Sequence, residues 1–253
     1  MKRLLLIGCL LTSIPVYAAE KITVMSNGQQ TAVLELYTSE GCSSCPSADR
    51  WLAALVDVPE DELDVLALAF HVDYWDYLGW KDRFGSPKYT SRQRYLGRIN
   101  SQRTIYTPEF FVDGVEARGT RNVLDKIRSA NNQAAAIQLK LSISKFSDSL
   151  QIELISVTSI AVDQPLLHRY FVYENELMSD VTRGENSGER LFHQQVVRYM
   201  SPELDLEKSN RHKINIDPEW RLDNIGVAAL VTAPGARDYL QVVHSSIAAL
   251  LDQ

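Results

Sequence analysis

Residues 32–56 pass from an apolar stretch, AVLELY, through TSEGCSSCPSAD into a helical pattern, with two cysteines where one gives way to the other. The helical pattern puts Ala48, Leu52, Leu55 and Val56 on one face and turns Asp49 and Arg50 away from it. Next, ELDVLALAFHV (62–72) is nearly continuous in Val, Leu, Ala and Phe, as expected of a strand buried on both faces of a parallel sheet. A strand, a helix and a second buried strand close only as a right-handed crossover, so the first part of the chain is α/β.

The 253 residues have room for one large domain or two small ones, and the pattern predicts two. A net charge of −6 without clustered Lys or Arg gives no footing for nucleic acid or an anionic membrane surface. The opening MKRLLLIGCLLTSIPVYAAE has the basic start, apolar run and small-residue cleavage site of a signal peptide over 1–19, which predicts a periplasmic or secreted protein. Cleavage discards Cys9 and leaves Cys42 and Cys45; lipid attachment at Cys9, in LIGC, is the alternative. No later apolar run reaches the ~20 residues that span a bilayer, so no membrane insertion is expected after cleavage.

Between Asp73 and Tyr106 the chain turns aromatic and arginine-rich, which reads as a helical insertion. Ser86-Pro87 starts a helix over Pro87–Ile99, with Arg92, Arg94 and Arg98 on a solvated face. TPEFFVDGVEARG gives two short strands around a type I′ turn at Asp113-Gly114, and Thr120 caps a helix over 121–131. Residues 20–134 thus form the first domain. Over 135–253, short alternating segments separated by turn-formers predict a mainly antiparallel β domain, sandwich-like in build.

A C-x-x-C at a helix amino terminus faces unpaired N–H groups and a partial positive charge, both of which favour a thiolate. Pro46 confines the helix start to Cys42 or later, making Cys42 the exposed, low-pKa attacking sulfur and Cys45 the resolving one. A purely structural staple would gain little, because closing so small a loop removes little unfolded-state entropy. Zinc needs four ligands, and the sequence has no second pair at ligand spacing. Cu(I) held by Cys42, Cys45 and His71 remains an alternative, since soft thiolates select that ion.

LELYTSEGCSSC, followed by a helix, a buried strand and TPEFFVDG, resembles the thioredoxin superfamily over about residues 30–132. With FHVDYWDYLGW, YTSRQR and RGENSG added, the whole chain is similar to a family of secreted bacterial proteins with a thioredoxin-like fold, whose reaction is open. The resemblance implies a cis bond at Thr107-Pro108, Pro108 facing the cysteines, Cys42 as nucleophile and Cys45 as resolving thiol. One departure stands out. Thioredoxins carry a buried aspartate six residues before the first cysteine; here that position is Leu36, and the adjacent Glu35 points to the other face of the strand.

His71 and Asp73 end the buried strand at the edge where open α/β sheets bind ligands. Trp75 and Trp80, with Tyr74, Tyr77 and Phe84, form either a groove over the cysteines or the core of the insertion. Thr107, His71, Asp73, Trp75 and Trp80 are therefore the candidate substrate contacts. Arg183, Glu185 and Asn186, in a Gly-bounded loop, read as a hairpin connection with a local ion pair; the alternative has the loop border the active site. His168, His193, His212 and His244 show no ligand spacing. The expected function is a secreted thiol-disulfide oxidoreductase that needs no cofactor and works on a protein or small-molecule thiol or disulfide with a redox partner protein. A Cu(I) carrier and a redox-inert binding protein are the alternatives.

Overall fold

A computed structural model of the protein describes residues 20–157, 165–233 and 239–251; the expected signal peptide and Cys9 lie outside them. The crossover unit is present. Strands β2 (Ala32–Thr38) and β3 (Val65–His71) run parallel with Thr38 beside His71, and α1 (Cys45–Val56) connects them. Alternate residues of β2 face opposite layers, as the pleat dictates. Ala32, Leu34 and Leu36 pack with Leu52 and Leu55 of α1 and with Val123 and Ile127 of α3 (Thr120–Asn131). Val33 and Tyr37 face the other way, toward Tyr89 and Leu96 of α2 (Pro87–Ile99). Helices thus cover both faces of this part of the sheet.

Local chemistry explains the boundaries. Ser86 caps α2, its Oγ accepting from the Lys88 amide, with Pro87 in the first turn. Strands β4 (Glu109–Val112) and β5 (Val115–Glu116) join through Asp113 and Gly114 at φ +47° and +76°, the two left-handed positions a type I′ turn requires. Thr120 opens α3 as its first residue, and Gly119 occupies the cap in its place.

The strands of the second part pair with one another antiparallel, but apart from one two-stranded ribbon they share their sheets with strands of the first part. Strands β6 (Leu139–Lys145), β7 (Ser149–Ser156) and β13 (Arg211–Asn215) make a four-stranded sheet with β1 (Lys21–Met25), which lies along β6. The remaining long strands are β8 (Leu167–Glu174), β11 (Val196–Met200), β14 (Ile225–Thr232) and β15 (Tyr239–Ser246). They extend the first sheet in the order β15-β14-β8-β11-β3-β2-β4-β5, with β12 (Leu204–Asp205) on β8. The junction is the parallel contact of β11 with β3, where Val196 stands opposite Ala69 and the Ala69 amide donates to Gln195 at 2.8 Å. The four-stranded sheet packs over the antiparallel end through Leu141, Ile152, Tyr170 and Val227, a sandwich-like arrangement sharing a strand layer with the α/β part. A two-stranded ribbon, β9 (Leu177–Asp180) and β10 (Arg190–His193), lies against α1.

Arg92 departs from the expected solvated face: its side chain is 9 % exposed. Its Nε and Nη2 donate to the two carboxylate oxygens of Glu35, each at 2.7 Å, and Nη2 also reaches the Tyr239 hydroxyl at 2.8 Å. Tyr37 and Tyr239 donate to the same carboxylate. Burial pushes the Glu35 carboxyl up, but Arg92 and the Tyr239 and Tyr37 hydroxyls together outweigh it and hold the group below its ordinary range. An acid fixed inside a buried strand recruits its cation from α2, tying β2, α2 and β15 together. Among the described residues no helix is long and apolar enough to cross a membrane.

Candidate active site

Cys42 and Cys45 form a disulfide at the start of α1, with Cα atoms 5.4 Å apart. The Cys45 amide donates to the Cys42 carbonyl at 3.1 Å, which turns the chain into the helix, and Pro46 occupies the first turn where no N–H is needed. Ser44 is the N-cap residue and makes no side-chain capping bond; its Oγ instead lies 3.4 Å from Cys42 Sγ. Cys45 is fully buried. Cys42 was expected to be exposed and is not: it is 3 % exposed.

The cover comes from the ribbon. The loop between β9 and β10 sends Asn186 Nδ2 to the main-chain oxygens of Glu40 and Cys42, at 2.9 and 3.0 Å. The neighbouring Glu185 accepts from the Ser43 amide at 3.0 Å, and hydrogen bonding by the Ser43 side chain and amide holds its carboxyl below the ordinary glutamate range. Gly184, at φ +75°, lets the loop pass the Trp80 side chain: an added Cβ would stand 3.2 Å from Trp80 Cβ. The loop is a hairpin connection, as the sequence suggested, and an ion pair of Arg190 with Asp180 at 2.7 Å joins the strands that flank it. It is also a wall of the cysteine site, and that was the less favoured reading of its sequence.

Behind the cysteines lies a buried set of three carboxylates and two histidines. His71 Nδ1 sits 2.7 Å from Asp82 Oδ2, both side chains at zero exposure. Burial opposes the charge on each, yet their mutual attraction wins, holding the imidazole above its ordinary range and the carboxyl below. His193 Nε2 lies 3.2 Å from Glu40 Oε1, and Trp80 Nε1 donates to Glu40 Oε2 at 2.7 Å. Burial raises the Glu40 carboxyl, and these donors bring it below the usual value. In the tautomer that donates Nε2–H to Glu40, His193 Nδ1 turns a lone pair toward Asp49 Oδ2, 3.7 Å away.

Asp49 was expected to face solvent; it is 6 % exposed. It stands four residues after Cys45, on the same face one helical turn along. Burial pushes its carboxyl up, with His193 and His71 offsetting part of the rise. A buried acid thus accompanies the pair although Leu36 occupies the strand position. Neither Asp49 nor His193 belongs to a recognisable motif. The available signal was the acid itself, one turn past a cysteine on a helix whose other face is polar.

Thr107-Pro108 is cis. Trp75 Nε1 donates to Thr107 Oγ1 at 2.7 Å, and its Cβ stands 3.1 Å from where a side chain at Gly41 would begin, so Trp75 joins the proline loop to the cysteine loop. Tyr77, stacked on Trp75, is 77 % exposed, so the aromatic cluster is partly surface and partly core. Asp73 anchors the insertion by accepting from Thr90 Oγ1 at 2.5 Å. His71 is sealed inside and touches no surface a substrate could reach, so it leaves the set of substrate contacts. With Cys42 and Cys45 bonded to each other, no group of three or more His, Cys, Asp or Glu among the described residues is arranged to hold a metal ion.

Two solved structures share the fold. Protein AGR_C_4864 from Agrobacterium tumefaciens is 23 % identical, with TM-score 0.60 over 87 % of this chain and 95 % of that one. HBP35 of Porphyromonas gingivalis is 17 % identical, with TM-score 0.66 over 87 % of this chain and 76 % of that one. No curated protein matches. The match that assigns the sequence spans residues 33–232, from β2 through the cysteine loop and the covering ribbon to β14, and by it the chain belongs to the family described as proteins of unknown function, DUF1223.

Proposed function

We propose that the protein is a periplasmic or secreted thiol-disulfide oxidoreductase whose first half is thioredoxin-like and whose Cys42–Cys45 pair cycles between disulfide and dithiol. The observation that carries this reading is a C-x-x-C disulfide at a helix start, bridged through Trp75 to a cis-proline loop and backed by a buried aspartic acid. A structural staple needs neither the proline loop nor the acid.

In the reducing direction, the Cys42 thiolate attacks one sulfur of a substrate disulfide; that S–S bond breaks, and the departing thiolate takes a proton from water. Cys45 then gives its thiol proton to the Asp49 carboxylate and attacks Cys42. The Cys42–Cys45 bond forms, the mixed disulfide breaks, and the second substrate thiolate leaves. Two electrons pass from the pair to the substrate, and an external dithiol restores the reduced pair. A fully buried Cys45 has no water to receive its proton, which is why an internal acceptor matters. Candidate substrates are protein or small-molecule disulfides, approached past Trp75, Tyr77 and Thr107.

The test is equilibration of the folded chain lacking residues 1–19 with glutathione buffers, with free thiol read by alkylation, beside turnover of a disulfide-bonded peptide with dithiothreitol. Folded protein should gain the thiols of Cys42 and Cys45 in one transition, and turnover should vanish in Cys42→Ser. Thiols that appear only in denaturant, or a serine variant as active as the parent, would end this reading.

A further inference from the structure

One contact bears on the direction in which the cysteine pair would exchange electrons. Ser43 directly follows Cys42 and precedes the N-cap Ser44, so its amide lies in the turn that leads from the sulfur into the helix. In the folded chain that amide is occupied by Glu185 Oε2 at 3.0 Å, from the loop between β9 and β10. The contact occupies that amide and sets a negative charge against the residue next to Cys42. No unmatched cation stands nearby among the described groups: Glu40, Asp82 and Asp49 are acids, His71 is matched by Asp82, His193 is shared between Glu40 and Asp49, and the Ser44 hydroxyl 3.4 Å from Cys42 Sγ is neutral. Cys42 itself is 3 % exposed, so water does little to solvate a thiolate there.

We propose that Glu185 is a redox-poise residue that disfavours the Cys42 thiolate and makes the pair an electron donor to disulfides rather than a disulfide donor to thiols. The inference rests on the thiol-disulfide reading above. Its logic is linkage: anything that destabilises the reduced thiolate lowers the reduction potential, because the reduced form is the one that carries the charge. The class of substrate is then a disulfide more oxidising than the pair, and the electrons enter from an external dithiol. Glu185 touches neither sulfur; it acts through the Ser43 amide.

The experiment compares the parent, Glu185→Gln and Glu185→Ala, each folded and lacking residues 1–19, in glutathione buffers, with the fraction reduced read by alkylation. Glutamine keeps an acceptor for the amide and removes the charge; alanine removes both. The pair should become easier to reduce in the order parent, Gln, Ala. The alanine variant should shift the equilibrium about threefold or more, equivalent to about 14 mV for two electrons, and its Cys42 alkylation should move to lower pH. Added salt should shrink the Gln effect, because it is one of charge. Three equal equilibria, or variants harder to reduce than the parent, overturn the proposal while leaving the oxidoreductase reading standing. A parent whose disulfide does not exchange while folded overturns both.

Discussion

Asn186 Nδ2 lies 3.0 Å from the main-chain oxygen of Cys42, a residue 144 positions earlier in the chain. One amide nitrogen serves that oxygen and the oxygen of Glu40, so the β9–β10 ribbon holds the loop from which the cysteine projects. The two halves of the chain therefore build one site, and the second half is part of its wall.

Replacing Asn186 with alanine strands the main-chain oxygen of Glu40 and leaves that of Cys42 with the Cys45 amide alone, a loss of about 1–3 kcal/mol. Urea unfolding should show that loss, and dithiothreitol should reduce the disulfide of the folded variant faster than that of the parent. Unchanged stability together with unchanged reduction would show that the ribbon merely rests on the loop.

Asp49 is held above its ordinary value of 3.8 by burial, so the folded chain keeps a proton that the unfolded chain gives up. Stability from this group is present below that value and is lost as pH rises through the folded pKa. Asp49→Asn removes the dependence: urea titrations at pH 4 and pH 8 should find the variant gaining on the parent at the higher pH. Resolution of the mixed disulfide should slow, by about tenfold or more, as it would without a general base. Rapid-mixing thiol measurements check the rate.

His71 and Asp82 shift in opposite directions. The Asp82 contribution is present above 3.8 and lost as pH falls through its lowered folded pKa; that of His71 is present below 6.5 and lost as pH rises through its raised one. His71→Ala leaves a buried carboxylate without its cation and should cost about 3–5 kcal/mol, with part recovered in the double variant with Asp82→Asn. Equal stability of parent and single variant in urea would refute the ion pair.

Arg92→Met removes the cation from Glu35, with the same order of loss, about 3–5 kcal/mol. Adding Glu35→Gln should restore part of it, and the coupling across the four-protein cycle measures the pair. A coupling near zero would mean that Tyr37 and Tyr239 satisfy Glu35 alone.

What the sequence made legible was local. Ser86-Pro87 fixed the start of α2, Asp113-Gly114 the β4–β5 turn, and Pro46 the first turn of α1, because each constrains its own backbone. What stayed hidden was partnership. Alternation in KITVM says which side chains share a face and nothing of which strand lies alongside, so the pairing of β1 with β6 was not readable. Asp49 and Arg92 were assigned to solvent because local patterns count a charge as exposed; their partners, His193 and Glu35, come from 144 and 57 residues away. The one clue was Glu35 itself, a carboxylate between leucines in a strand otherwise fit only for burial.

The contact of β11 with β3 decides how this protein can be dissected. A fragment stopped after α3 would keep the cysteines, α1 and the proline loop, yet would strip β3 of the neighbour that takes the Ala69 amide and open its whole outer edge. An apolar strand with an unpaired edge invites pairing with another copy of itself. The cysteine-bearing half freed from the rest should therefore precipitate or self-associate, and the natural unit for any reconstitution is the entire chain.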